Sequence, residues 1–195
     1  AMTEERIKIT TDQLAEGVGL IAAAGYINNE GGQAIADAAT ELMGQALADL
    51  SPELPKRRTP RPRLLVDVYS FVINTGRDLE QVLLQRSPQY ADQGEAIAAV
   101  YRRYLERKRQ ADAMDFDDLL LQMFRLLYQN PDDVVDKYRR QFQYVLVDEF
   151  QDTNHLQYAI IRKLVNYEGS DRNICVVGDD AQSIYAFRGA TIQNM

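Results

Sequence analysis

Two short apolar runs, each ending in acidic residues, limit what this chain can fold into more than any other feature. Tyr144-Val145-Leu146-Val147 runs into Asp148-Glu149, and Asn173-Ile174-Cys175-Val176-Val177 runs into Gly178-Asp179-Asp180. Short runs rich in Val, Ile and Tyr read as buried strands. Between them, Leu156, Ile160, Ile161 and Leu164 recur at helical spacing within residues 154–166. Strand, helix and strand within about 35 residues form a βαβ unit, which demands parallel strands and a right-handed crossover. Ligands of such sheets bind at the carboxyl ends of the strands. Both acidic clusters lie there.

The rest of the chain reads as helix after helix. Ile35, Ala38, Ala39, Leu42, Met43, Ala46, Leu47 and Leu50 mark one apolar face, and Ser51-Pro52 ends that helix. Residues 51–62 hold four prolines and read as a linker or extended arm. Helices are predicted over 63–75, with Leu64, Leu65, Val68, Tyr69 and Val72 inward, and over 78–85. Another spans 92–110, with Ile97, Val100, Tyr101, Tyr104 and Leu105 inward and basic residues over much of the remaining surface. From 115 to 129 the inward set is Phe116, Leu119, Leu120, Met123, Phe124 and Leu127, with Asp115 as N-cap. Pro131 suits the first turn of the next helix. Arg6-Ile7-Lys8-Ile9-Thr10 alternates like a further short strand. The fold class is therefore mainly α with a small parallel α/β part.

Composition excludes several classes. Of 195 residues, 46% are hydrophobic and 26% charged, which is ordinary globular usage. No stretch approaches the roughly 20 apolar residues of a membrane span, and the polar start Ala1-Met2-Thr3-Glu4-Glu5 is not a signal peptide. The lone Cys175 cannot form an internal disulfide, fits a reducing, cytoplasmic setting, and reads as a small buried core residue. With a single histidine, His155, neither a His-based metal site nor a Ser-His triad is persuasive. The net charge of −7 argues against nucleic acid as a partner, but local distribution matters more. Two basic clusters stand out: Lys56-Arg57-Arg58 with Arg61 and Arg63, and Arg102-Arg103 with Arg107-Lys108-Arg109.

The chemistry sits at the strand ends. In Asp148-Glu149-Phe150-Gln151-Asp152-Thr153-Asn154 the first acid can hold Mg²⁺, which prefers oxygen ligands and is often bound by one or two carboxylates plus phosphates. The second can polarise an attacking water as general base. Acids at a strand end can also simply solvate a loop or cap the next helix. The second constellation, Gly178-Asp179-Asp180-Ala181-Gln182-Ser183-Ile184-Tyr185-Ala186-Phe187-Arg188, offers a glutamine within reach of a terminal phosphate. Tyr185 and Phe187 supply faces for unpaired bases, worth roughly 1–3 kcal/mol per base. Arg188 can pair with an acid of the first constellation or with phosphate. The bland alternative makes the two aromatics core and the arginine a surface ion pair.

Together, at this spacing, the two constellations resemble motifs II and III of superfamily 1 DNA helicases of the UvrD/Rep/PcrA type. Asp148 to Asn154 match that family's Walker B segment in full, and Gly178 to Tyr185 resemble its third motif. Phe187 stands where the family usually has tryptophan. Met114-Asp115-Phe116-Asp117-Asp118-Leu119-Leu120 resembles the return from the family's helical insert, domain 1B, into its first RecA-like domain. The resemblance implies a division into an unassigned helical segment and basic arm (1–62), a helical insert (63–113) and a partial RecA-like P-loop NTPase domain (114–195). It implies that Asp148 coordinates Mg²⁺, Glu149 activates water, and Gln182 contacts the γ-phosphate. Tyr185 and Phe187 would stack on bases, Arg188 would couple the motifs, and Gln151 and Asp152 would support that network. The implied cofactors are Mg²⁺ and ATP, and the implied partners single-stranded DNA and duplex junctions.

One part of that machinery has no counterpart. Gly-x-x-x-x-Gly-Lys-Ser/Thr, the loop that cradles phosphates, occurs nowhere in the sequence. In the family it lies before the insert, so it is expected ahead of residue 1, with a second RecA-like domain after Met195. Ala1-Met2 reads as a tag scar, the chain as part of a longer helicase, and its activity alone as negligible. Open sheet edges would then invite dimerisation. The competing readings are a non-catalytic nucleic-acid-binding module, using Lys56, Arg57, Arg58 and the 102–109 cluster, and a protein-interaction fragment with vestigial acids.

Overall fold

The computed structural model describes residues 29–50, 59–179 and 181, and its elements follow the periodicities above. Helix α1 spans Asn29–Leu50, α2 Pro62–Thr75, α3 Leu79–Arg86, α4 Gly94–Gln110, α5 Phe116–Gln129 and α6 Val134–Gln141. Strand β1 (Val145–Val147), helix α7 (His155–Val165) and strand β2 (Ile174–Val176) complete them. The chain is mainly α with a two-stranded parallel sheet, in which Val145 pairs with Ile174, Leu146 with Cys175 and Val147 with Val176. The strand suggested at 6–10 and most of the arm at 51–62 lie outside the described residues.

Local chemistry sets the helix ends. Pro62 occupies the first turn of α2, where its missing N–H costs nothing. The helix stops at Gly76, whose left-handed φ of 64° lets its N–H reach the Val72 carbonyl. Asp115 and Asp118 form a reciprocal capping box at α5, and Asn154 and Gln157 form one at α7. Pro131 opens a 3-10 turn at Pro131–Asp133 that leads into α6.

Two apolar clusters result. The larger unites α1 to α4 around Met43, Leu65, Val82, Val100 and Tyr104. Burying each such side chain is worth roughly 1.5–3 kcal/mol. Tyr69 packs edge-on against Tyr101 and Tyr104, with ring centroids 5.2 and 5.5 Å away. Helix α1, from the stretch left unassigned by its sequence, shares this core. The smaller cluster joins α5 and α6 through Met123, Leu126, Leu127, Val134, Val135 and Tyr138, with Ile160 and Leu164 of α7 against it.

Three expectations are corrected. Cys175 is exposed, not buried, and so are Leu146, Ile174, Val176 and Val177. The described residues leave the faces of this sheet largely uncovered, so an apolar run that reads as buried strand is not buried here. Phe116 also faces outward. The basic face of α4 is largely engaged within the fold: Arg103 and Arg107 both bind Asp49 of α1 at 2.6 Å, and Lys108 is buried between Asp115 and Asp118. Arg102 and Arg109 are its exposed members.

Candidate functional site

At the carboxyl end of β1 the backbone turns sharply. Glu149 adopts a left-handed conformation, φ 51° and ψ 41°, uncommon for a residue with a side chain and frequent at functional sites. The turn is closed by the Asp152 N–H donating to the Glu149 carbonyl (2.9 Å) and the Thr153 N–H to the Phe150 carbonyl (3.0 Å). It is also stitched to β2. The Val177 N–H donates to the Val147 carbonyl at 2.8 Å, and the Phe150 N–H to the Val177 carbonyl at 2.9 Å.

Gln151 joins the two strand ends through its side chain. Its carboxamide, almost fully buried, donates to Glu149 Oε2 at 2.5 Å and accepts from the Asp179 N–H at 3.0 Å. Gly178 makes this approach feasible. A Cβ there would overlap the Gln151 carboxamide oxygen and sit 3.2 Å from the backbone nitrogens of Gln151 and Phe150. The first and second acidic clusters therefore meet, with Gln151 as the bridge. Gln182, Tyr185, Phe187 and Arg188 lie outside the described residues, as do Lys56, Arg57 and Arg58.

The carboxylates face an open pocket. Asp148 and Glu149 are exposed, and the Glu149 N–H donates to Asp148 Oδ1 at 2.9 Å. Together with Asp152, Thr153, Gln157 and Ile161 they line a cavity of about 430 Å³. Asp152 Oδ1 is buried and has no hydrogen-bond partner among the described residues. An orphaned carboxylate oxygen is costly and marks a place for a donor. No group of three or more metal-ligating side chains occurs among the described residues. Mg²⁺ needs none, since one or two carboxylates with phosphate and water complete its shell. Asp148, exposed on this cavity, fits that donor set.

Behind the turn lies a buried polar network that sequence reasoning did not anticipate. Asn154 caps α7 and donates through Nδ2 to Asn74 Oδ1 of α2 at 3.0 Å. Asn74 Nδ2 donates to Asp117 Oδ1 at 2.6 Å, which also accepts from Ser70 Oγ at 3.0 Å. Burial, then the neighbouring Asp115 charge, pushes the Asp117 carboxyl above its usual range. Next to it, Lys108 Nζ binds Asp115 (2.7 Å) and Asp118 (2.5 Å), and the Tyr104 hydroxyl donates to Asp115 at 2.7 Å. Burial raises both carboxyls. At Asp115, Lys108, the Asp118 N–H and Tyr104 outweigh it and hold the group low; at Asp118 the Asp115 charge adds to burial and the group stays high.

Comparison with known proteins places this arrangement in a family. The model of the UvrD/REP helicase N-terminal domain matches residues 17–195. The ATP-dependent DNA helicase UvrD1 of Mycobacterium tuberculosis is 43% identical over 164 residues, 82% of this chain and 21% of the relative. The ATP-dependent DNA helicase PcrA of Staphylococcus epidermidis is 36% identical over 134 residues, 69% of this chain and 17% of the relative. The chain thus spans about a fifth of the length of these relatives. A match over nearly the whole chain, on a parallel sheet whose strand ends gather the acids, identifies the chain as a member of the UvrD/REP helicase N-terminal domain family.

Proposed function

We propose that this chain is part of an ATP-dependent DNA helicase and holds the carboxylates that hydrolyse Mg²⁺-ATP and the elements that couple hydrolysis to single-stranded DNA. One observation carries the reading: Gln151 locks the Glu149 carboxylate to the end of β2, so both acidic segments act as one unit. Asp148 would hold Mg²⁺, which would supply charge neutralisation on the phosphates when bound. Glu149 takes the proton from the attacking water. Its left-handed backbone and the Gln151 side-chain amide, donating through Nε2, fix where its oxygens point.

The remaining roles belong to the same proposal. Gln182 contacts the γ-phosphate. Arg188 couples the two motifs. Tyr185 and Phe187 stack on bases, and Lys56, Arg57 and Arg58 contact phosphates of single strands or duplex junctions. Residues 63–113 act as the 1B-like insert and 114–195 as a partial RecA-like domain. The phosphate-cradling loop does not occur in this sequence, so the chain alone turns over ATP negligibly and works with a loop and an opposing RecA-like domain of the parent protein. No described helix is long and apolar enough to cross a membrane. We place the parent in the cytoplasm. The exposed edge and faces of the sheet favour self-association of the isolated chain.

The test is Glu149→Gln in the full-length parent. DNA-stimulated ATPase is expected to fall by on the order of 10²–10⁴-fold, the usual worth of a general base. Turnover within a factor of two of the parent would remove Glu149 from the chemistry.

A further inference from the structure

Resting on the proposed ATPase reading, we infer that Asn74 is a positioning residue: through Asn154 it ties the helical cluster of α1 to α4 to the turn that carries Glu149, and so holds the Glu149 carboxylate in place for hydrolysis.

Among the described residues two separate apolar clusters form, one in α1 to α4 and one in α5 to α7. Asn74 spans the gap. It sits on α2 and is nearly fully buried. Its carbonyl oxygen accepts from Asn154 at the head of α7, and its amide donates to Asp117 in the first turn of α5 and to the Ser70 carbonyl. A carboxamide is the side chain that can do this, because it offers an acceptor and two donors on one rigid plane. Leucine of similar shape would satisfy neither side.

Asn154 is not remote from the chemistry. Residues 149–153 form one hydrogen-bonded turn, with Asp152 N–H on the Glu149 carbonyl and Thr153 N–H on the Phe150 carbonyl. Asn154 follows directly and fixes the start of α7 through its bond with the Gln157 N–H at 2.8 Å. A shift of α2 therefore pulls on Asn154, then on the closed turn, then on the Glu149 carboxylate that Gln151 holds. Buried hydrogen bonds of this kind are directional and give little, whereas apolar contacts slide. Small displacements at a reacting group cost on the order of 10²-fold in rate.

Two variants of the full-length parent test this. Asn154→Asp keeps an acceptor for the helix cap but removes the donor to Asn74. Asn74→Leu removes both of its links. Each is expected to lower the kcat of single-stranded-DNA-stimulated ATPase by about tenfold. Basal kcat should fall in parallel, the KM for ATP should stay within about twofold, and the double variant should be no worse than the worse single one. A rise in the KM for ATP matching the fall in kcat would mean a merely structural role, and additive effects or no effect would also overturn the proposal. If Asn74→Leu fails to fold, Asn154→Asp decides alone. Glu149→Gln, run in parallel, keeps the readings apart: normal turnover there sinks the ATPase reading, whereas a dead Glu149→Gln beside an unaffected Asn154→Asp sinks only the positioning role.

Discussion

Lys108 shows how much one buried charge can decide. Its ammonium is nearly excluded from water, bound to Asp115 and Asp118, and lies 4.6 Å from the centre of the Tyr104 ring. Removing one partner of such a group leaves the others buried and uncompensated, which costs about 3–5 kcal/mol. Lys108→Met is therefore expected to lose stability of that order in urea denaturation at neutral pH. The sign with pH follows. In the variant both carboxyls lose the cation that favours their charge, so Asp118, already high, and Asp115 both move upward. A raised folded pKa means the folded state binds protons more tightly, so the variant regains stability as pH falls. A variant whose deficit grows with acid would contradict this. The run from Arg102 to Arg109 advertised none of it. A lysine on an apparently solvated face reads the same whether water or two carboxylates surround it, and the choice of partner is made by α5.

At the scale of elements, Asp49 adds a polar clamp to the apolar pairing of α1 with α4. Hydrogen bonds from Arg107 and then Arg103 hold its carboxyl down at about 2, against 3.8 in a free chain. A depressed folded pKa contributes stability that is present above 3.8 and is lost as pH falls toward 2. Asp49→Asn should flatten the acid limb of the stability curve, and an unchanged limb would show that Asp49 is not the group responsible. The closure of β2 on the turn after β1 makes a second prediction. Gly178→Ala drives a methyl into the Gln151 carboxamide, with an expected loss of about 1–3 kcal/mol. Truncating the obstacle in Gly178→Ala with Gln151→Ala should recover part of that loss in thermal denaturation. Elements of this kind were the legible part of the chain. The capping residue Asp115 and the periodic faces of α1, α4 and α5 are local signals, and local signals survive in sequence. The bond between Asn74 and Asn154 joins residues 80 positions apart, and no spacing rule reaches across that distance. At the site, Asp148 and Glu149 stood out as acids at a strand end, but nothing local announced Gln151 as the bridge or Gly178 as the space it needs.

Across the whole molecule, stability and chemistry sit in different places. The core is helical: Met43, Val82, Val100 and Tyr104 have no measurable exposure, whereas Leu146 of β1 is 75% exposed and every residue of β2 is exposed. Local opening tracks buried apolar contact, so amides in thin, solvated elements exchange far faster than those in a core. Hydrogen exchange on the isolated chain is therefore expected to show the strongest protection in α2 and α4. Protection of Val147 and Val177 should be weaker by on the order of 10³-fold or more, given the several kcal/mol that separate core from periphery. In the full-length parent the same strand amides should slow markedly, because a parallel sheet is ordinarily covered on both faces. Strand amides of the isolated chain as slow as those of α4 would mean that two short strands and one turn are self-sufficient. The carboxylates would then be fully organised without the rest of the parent.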